Sequence, residues 1–169
     1  SAASDVYKRQ DGAVIAVYAA ANYYIELNSA RILSDIDLDF TSEDRPLDKM
    51  LAQIEEVEKI TLEEKQKLAI KNAVNNGVAV ITGGPGTGKT TTINAMIKMF
   101  EKLNLELLLA APTGRAAKRI TEATGYTAQT IHRLLELSGG GIDEEGNSST
   151  YTFARNSNNP LEADVIIID

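Results

Sequence analysis

The chain has 169 residues, 43% of them hydrophobic, and a formal charge of −7, which allows one ordinary globular domain with a real core. It has no Cys and a single His, so disulfides, thiolate–metal sites and any His/Cys metal cluster are excluded, and a reducing compartment suits it. The charge is uneven: residues 35–64 hold eleven acids against three bases, a local −8 that leaves the rest near +1, so the acidic total does not exclude a polyanionic partner.

Residues 1–10 fit nothing downstream, resemble a cloning or sequencing read-through segment, and are left out of the fold expectation. Lys8-Arg9 before the apolar run 13–21 imitates a signal peptide, with Ala19-Ala20-Ala21 as a cleavage site. Asp11 interrupts that charge pattern, and Asn22 and Glu26 close the run well short of the ~20 residues a membrane helix needs. Residues 13–36 place Val14, Val17, Tyr18, Ala21, Tyr24, Ile25, Ile32 and Leu33 at loose helical spacing, which predicts a packing helix. The acidic stretch 35–48, holding Pro46, reads as a linker, and residues 47–60 as a charged surface helix. The expected organisation is an N-terminal helical segment and acidic linker over 1–46, then the main domain over 47–169.

Thr61-Leu62-Glu63-Glu64 has the form of a capping box, and Leu62, Ala69, Ile70, Ala73 and Val74 continue a helical face up to Gly77. This helix carries Gln66, which taken alone reads as an ordinary solvated Gln. Residues 77–82, a β-branched apolar run bounded by Gly, predict a short buried strand. Gly83, Gly88, Lys89 and Thr90 then satisfy G-x-x-x-x-G-K-[ST]. Backbone N–H groups of such a loop cradle nucleotide phosphates, its Lys reaches the β/γ-phosphates and its hydroxyl binds magnesium. Residues 91–103 follow as a helix, with Ile93, Met96, Ile97 and Phe100 on one face, so that its N-terminus points unpaired N–H groups at the anion. The motif and its context imply a nucleoside triphosphate.

Residues 105–112 predict a second buried strand stopped by Pro112, and residues 113–124 a helix ended by Gly125, a parallel strand–helix–strand unit. Residues 114–133 carry Arg115, Lys118, Arg119 and Arg133 against Glu122, a local +3. Residues 127–137 predict a third helix, and 138–162, rich in Gly, Asn and Ser, a mobile surface insertion. Residues 163–169 form a β-branched strand ending in Asp169, the place of a magnesium-coordinating Asp in a phosphate-loop protein.

Gln66 in its setting at 61–66, the loop 83–90, the run Ala111-Pro112-Thr113-Gly114-Arg115-Ala116-Ala117-Lys118-Arg119, residues 130–135 and residues 164–169 resemble, in order, motifs Q, I, Ia, Ib and II of RecD-like superfamily-one helicases. That group includes the alpha subunit of exodeoxyribonuclease V, and the resemblance covers about residues 47–169. It implies an α/β fold, a RecA-like P-loop NTPase with a parallel sheet and flanking helices, here incomplete and preceded by the small helical segment. It also implies ATP-driven, 5'-to-3' translocation on single-stranded DNA in recombination and repair. ATP and magnesium are the implied cofactors, nuclease and helicase subunits are partners in the multisubunit members, and the implied compartment is the cytoplasm, with no membrane role.

Carried over by residue, the resemblance implies that Gln66 bonds the adenine edge and that Gly83, Gly84, Pro85, Gly86, Thr87, Gly88, Lys89, Thr90 and Thr91 hold the nucleotide. Lys89 neutralises charge on the transferring phosphate, and Thr90 and Asp169 hold magnesium, directly or through water. Pro112, Thr113, Gly114, Arg115, Lys118 and Arg119 line the DNA track, which Thr130 and His132 extend. The bland alternatives are a solvated helix face for Arg115, Lys118 and Arg119, a packed His for His132, and core packing rather than base stacking for Tyr126. Against the pattern of this family, the Glu after Asp169, the arginine fingers, the second motor domain and the strand between the P-loop strand and the Asp169 strand are not in the sequence. The expectation is a piece of a longer helicase that hydrolyses ATP poorly by itself. Two other readings stay open: a different P-loop enzyme, such as a clamp-loader-like ATPase or small-molecule kinase, and a nucleotide-gated DNA-binding module without hydrolysis.

Overall fold

A computed structural model describes residues 6–11, 14–42, 44–139 and 151–169. The chain forms two compact units, residues 1–43 with 72–80, and residues 44–71 with 81–169.

In the first unit, β1 (Val6–Asp11) pairs antiparallel with β2 (Val14–Ala19), and α1 (Ala20–Ile36) follows. The helix expected over 13–36 therefore starts only at Ala20. Residues 14–19 are rich in β-branched residues and Tyr, a composition that suits a strand once residues 6–11 supply a partner. Further along, Phe40 N–H donates to the Asn75 carbonyl at 2.7 Å, Gly77 N–H to Leu38 at 2.7 Å and Val78 N–H to the Asp37 carboxylate at 3.1 Å. The strand expected over 77–82 does not form: these residues pair with no strand among the described residues, and Val80 is 84% exposed. A β-branched run becomes a strand only when a neighbour accepts its ladder of hydrogen bonds, and here none does.

The second unit opens with α2 (Leu47–Glu58), whose buried Leu47, Leu51 and Ile54 fall at i, i+4 and i+7, one helical stripe. The stripe packs α2 on α4 (Lys89–Lys102). Leu51 and Ile54 are each 1% exposed, and burial of such side chains stabilises by roughly 1.5–3 kcal/mol apiece, which outweighs anything the charged outer face contributes. α3 (Glu64–Asn75) starts later than the capping box predicts. Thr61 does not cap it. Instead Glu63 N–H donates to Oε1 of Gln66 at 2.9 Å, so the reciprocal half of a capping box is built two residues further on.

Glu55 joins α2 to the start of α3. Its Oε1 accepts from Leu62 N–H at 2.7 Å and its Oε2 pairs with Lys67 at 3.2 Å. The Leu62 bond, with Lys67, holds the carboxyl below its ordinary 4.5. A depressed carboxylate contributes stability that is present above the unfolded value and is lost as pH falls through the folded one. The thermal midpoint of wild type should exceed that of Glu55→Ala by most at neutral pH, and the gap should narrow below pH 4.5. A gap of constant size across that range would remove this account.

The sheet is β4-β3-β7, all parallel: β3 (Leu107–Ala111) in the centre, β4 (Ala128–Thr130) on one side and β7 (Val165–Ile168) on the other. α5 (Gly114–Thr124) runs between β3 and β4, with Thr113 capping its start and Gly125 ending it at φ 76°. Residues 128–130 are thus a strand where a helix was expected. The helical part shrinks to α6 (Ile131–Leu134), because β3 offers Ala128 to Thr130 a ladder that local propensity does not reveal. One core gathers Ile97 from α4, Leu109 and Ala111 from β3, and Ala117 and Ile120 from α5. β5 (Leu137–Ser138) pairs antiparallel with β6 (Thr152–Phe153). The mobile insertion expected over 138–162 has this pairing at its described ends, and its residues 140–150 lie outside the described residues. The outcome is a mixed α/β fold with a small parallel sheet flanked by helices, as expected, and no helix among the described residues is long and apolar enough to cross a membrane.

Candidate nucleotide and DNA site

α4 begins immediately after the loop. Gly88, its N-cap, has φ 74°, a left-handed conformation that costs Gly nothing and most residues about 1–2 kcal/mol. Gly has no side chain to cap a helix, so the first-turn N–H groups of α4 keep their capacity for an anion. The loop itself, residues 83–87, is exposed.

The Lys89 ammonium donates to the Gly83 carbonyl at 2.7 Å and the Gly84 carbonyl at 2.8 Å, and the Thr87 hydroxyl donates to Gly84 at 2.9 Å. The positive group thus hangs over the loop, held by neutral acceptors that a phosphate outcompetes as a charged one. Gln66 reaches the same loop from α3, its Nε2 lying 3.4 Å from the carbonyls of both Thr87 and Gly88. Thr92 supports the turn from below: it is 4% exposed and its hydroxyl donates to Gly88 at 3.0 Å. Sequence reasoning passed over Thr92, although a Thr one helical turn after the loop Gly is the signal for it.

The second group of residues lies where the parallel strands end. Ala111 of β3 is the register partner of Thr130 of β4, and Asp169 N–H donates to the Ala110 carbonyl at 3.1 Å. Pro112 to Arg115, Thr130 to His132, and Asp169 therefore crowd the carboxyl edge of one sheet, where open α/β sheets bind ligands. Pro112, Thr113, Gly114, Arg115, Lys118 and Arg119 are all exposed. Lys118 makes one long ion pair with Glu122, 3.7 Å between exposed groups, which is worth little. Arg115 and Arg119 form no ion pair among the described residues.

Two threonines in this group are committed to helix starts. Thr113 Oγ1 accepts from Ala116 N–H and Thr130 Oγ1 from Arg133 N–H, both at 3.2 Å. Each keeps its hydroxyl proton to donate. Thr113→Ala should lower stability by about 1 kcal/mol through loss of the cap, while Thr113→Ser stays close to wild type. Equal thermal midpoints for the Ala and Ser variants would show that the cap is idle. His132 is exposed and stacks on Phe153, ring centres 6.5 Å apart and planes 28° apart.

Tyr126 also packs. It lies against the Ile97–Leu109–Ile120 core, its hydroxyl donates to Glu101, and the Lys98 ammonium donates to that hydroxyl at 2.9 Å. Bonding to Tyr126 and then Glu101 raises the Lys98 ammonium above its usual range, the Tyr126 bond lowers Glu101, and burial followed by Glu101 raises Tyr126.

For magnesium the donor set is sparse and fitting. No group of three or more His, Cys, Asp or Glu capable of holding a metal exists among the described residues. Magnesium is ordinarily held by one or two protein oxygens together with substrate phosphates and waters, and the Thr90 hydroxyl and Asp169 carboxylate are of that kind.

The sequence pattern of the AAA domain family matches residues 66–169, from Gln66 through the loop to Asp169. The chain belongs to this family. An AAA domain implies nucleotide binding, and the stretch that matches contains every nucleotide residue considered above. Over 108 residues, 64% of this chain, it is 42% identical to the ATP-dependent RecD2 DNA helicase of Deinococcus radiodurans. It is 34% identical over 128 residues to the RecBCD enzyme subunit RecD of Haemophilus influenzae and 36% identical over 129 residues to that of Mycolicibacterium smegmatis, covering 62% and 63% of this chain. These bear out the RecD-like resemblance. The matches take in 14%, 19% and 22% of the lengths of those relatives, so this AAA domain corresponds to a small part of each.

Proposed function

We propose that this AAA domain is part of an ATP-dependent DNA helicase that translocates 5'-to-3' on single-stranded DNA in recombination and repair. The single observation that carries the reading is the join of two chemistries on one core. α4 presents Lys89 and Thr90 at its head, and α5, packed with α4 around Ile97 and Ile120, presents Thr113 and Arg115 at its own head and Lys118 and Arg119 midway along it.

Lys89 holds the β/γ-phosphates and draws off charge as the terminal phosphoryl leaves. Thr90 and Asp169 would hold a magnesium ion, which would supply charge neutralisation to the nucleotide phosphates. Gln66, whose amide bonds the Thr87 and Gly88 carbonyls, exchanges those bonds for the adenine edge when nucleotide binds. Arg115, Lys118 and Arg119 hold phosphates of the strand, with Thr113 donating its free proton and Thr130 and His132 continuing the track. The chain alone, with residues 77–82 unpaired ahead of the loop, is proposed to hydrolyse ATP poorly. Association with nuclease or helicase subunits follows the relatives named as RecBCD subunits and is likewise proposed, as is action in the cytoplasm.

The test is ATP hydrolysis by the full-length protein with and without single-stranded DNA. DNA should raise turnover many-fold. Turnover indifferent to DNA would favour another P-loop enzyme, and tight DNA binding that responds to nucleotide without hydrolysis would favour a gated binding module.

A further inference from the structure

α4 carries a polar stripe beside its apolar one. Asn94, Lys98 and Glu101 stand at i, i+4 and i+7, a spacing that puts all three on one line of the helix. Asn94 Nδ2 donates to the Ala123 carbonyl at 3.3 Å. Lys98 donates to the Tyr126 hydroxyl at 2.9 Å and to Glu101 at 3.1 Å, lies 5.3 Å from the centre of the Tyr126 ring, and the Tyr126 hydroxyl closes the set on Glu101. The whole stripe therefore grips one short segment, the end of α5 and the turn after it.

That segment is knitted to both of its neighbours. Gly125 N–H donates to Thr121 at 2.9 Å, Tyr126 N–H to the Thr124 hydroxyl at 3.1 Å, and Ala128 N–H to the Thr121 hydroxyl at 2.9 Å. α5 and β4 are thereby one piece, carrying Arg115, Lys118 and Arg119 on α5 and Thr130 at the end of β4. α4 is the other piece, with Lys89 and Thr90 at its head. Hydrogen bonds between the two pieces add direction to the apolar contact.

One acceptor in this seam is left bare. Asn94 Oδ1 is buried with no partner among the described residues. The amide cannot be reversed to cure this, because the reversal would set its oxygen against the Ala123 carbonyl. A buried acceptor without a donor is costly, so a shift of the seam that brought Oδ1 a donor would be favoured. Two arrangements of one contact are what a coupling element requires.

We propose that the Asn94–Lys98–Glu101 stripe and Tyr126 are positioning residues that couple nucleotide at the P-loop to the grip of α5 and β4 on DNA. This rests on the helicase reading above. Filling the loop draws Lys89 off the Gly83 and Gly84 carbonyls and shifts the head of α4; the stripe passes the shift to α5 and β4.

The experiment uses the full-length protein with Tyr126→Phe and, separately, Asn94→Ala. Affinity for a labelled oligothymidylate is measured with and without a non-hydrolysable ATP analogue and magnesium, alongside the affinity for the analogue alone and the thermal midpoint. The factor by which the analogue changes DNA affinity should fall at least about five-fold in both variants, with the separate affinities and thermal midpoint close to wild type. A wild-type factor in both variants overturns the proposal, and so does a loss of both affinities in step with the thermal midpoint, which marks a purely structural seam. If wild type itself binds no DNA, or binds it without regard to the analogue, the helicase reading falls and this inference with it; coupling intact in wild type and in both variants removes the inference alone.

Discussion

Replacing Lys89 by Ala in the full-length protein is expected to lower DNA-stimulated ATP turnover by about a hundred- to a thousand-fold, the usual loss when one preorganised transition-state donor is removed. The ammonium already stands over the loop, 2.7 and 2.8 Å from two backbone carbonyls. It needs no long excursion to meet a phosphate, and the exchange replaces neutral acceptors by charged ones. Ground-state binding should suffer less than turnover. The loop is exposed, so attraction to a resting nucleotide is screened, while charge that develops during transfer inside a closed site is not. A steady-state assay should therefore show kcat falling much further than KM rises, and binding of a non-hydrolysable analogue should persist at reduced affinity. Turnover within a few-fold of wild type would take Lys89 out of the chemistry and with it the present account of the loop.

The parts of the fold that were legible in the sequence are those in which local signals and tertiary contacts agree. The helix expected over 47–60 is α2, β3 is stopped by Pro112, and α5 is opened by Thr113 and closed by Gly125; the deciding signals lie in these segments or directly beside them. The misreadings fall where a distant partner decides. Residues 77–82 have the composition of a buried strand but no ladder to join among the described residues. Residues 128–130, which read as helix, are drawn into the sheet by β3, and residues 14–19 pair with a segment set aside as foreign to the fold. No window of sequence displays its own neighbour.

The same division holds at the site. The loop residues could be placed because the motif specifies backbone N–H groups and one Lys, chemistry that survives without knowledge of the fold. That Gln66 caps its own helix through Oε1 while its other end touches the loop was not legible, because the helix starts at Glu64 rather than Leu62. Lys98 and Glu101 went unnoticed for a different reason. They lie on the polar face of a helix whose apolar face explains it fully, and only the structure brings Tyr126 onto them.

Removing Arg115, Lys118 and Arg119 together by Ala substitution should weaken single-stranded DNA binding about a hundred-fold near 0.1 M salt, because each phosphate contact on a single strand contributes a slope of about 0.7 in log K against log salt. The same arithmetic lowers the magnitude of that slope by about two and brings mutant and wild type together near 1 M salt. Geometry makes the three a group. All are exposed, Arg115 and Arg119 have no ion pair among the described residues, and the Lys118–Glu122 pair at 3.7 Å costs little to leave. They follow Thr113 at the edge where β3 and β4 end, so a strand lying there meets hydroxyl, backbone N–H and guanidinium groups in turn. The loss should be alike for sequences of any composition, since phosphate contacts carry no base information. Buried core residues are untouched, as Ala117 and Ile120 occupy the opposite face of α5, and the thermal midpoint should stay near wild type. Fluorescence anisotropy of a labelled oligonucleotide across a salt series measures all of this at once. An unchanged slope would make the cluster a solvated helix face, and the DNA track would then have to be sought elsewhere on the protein.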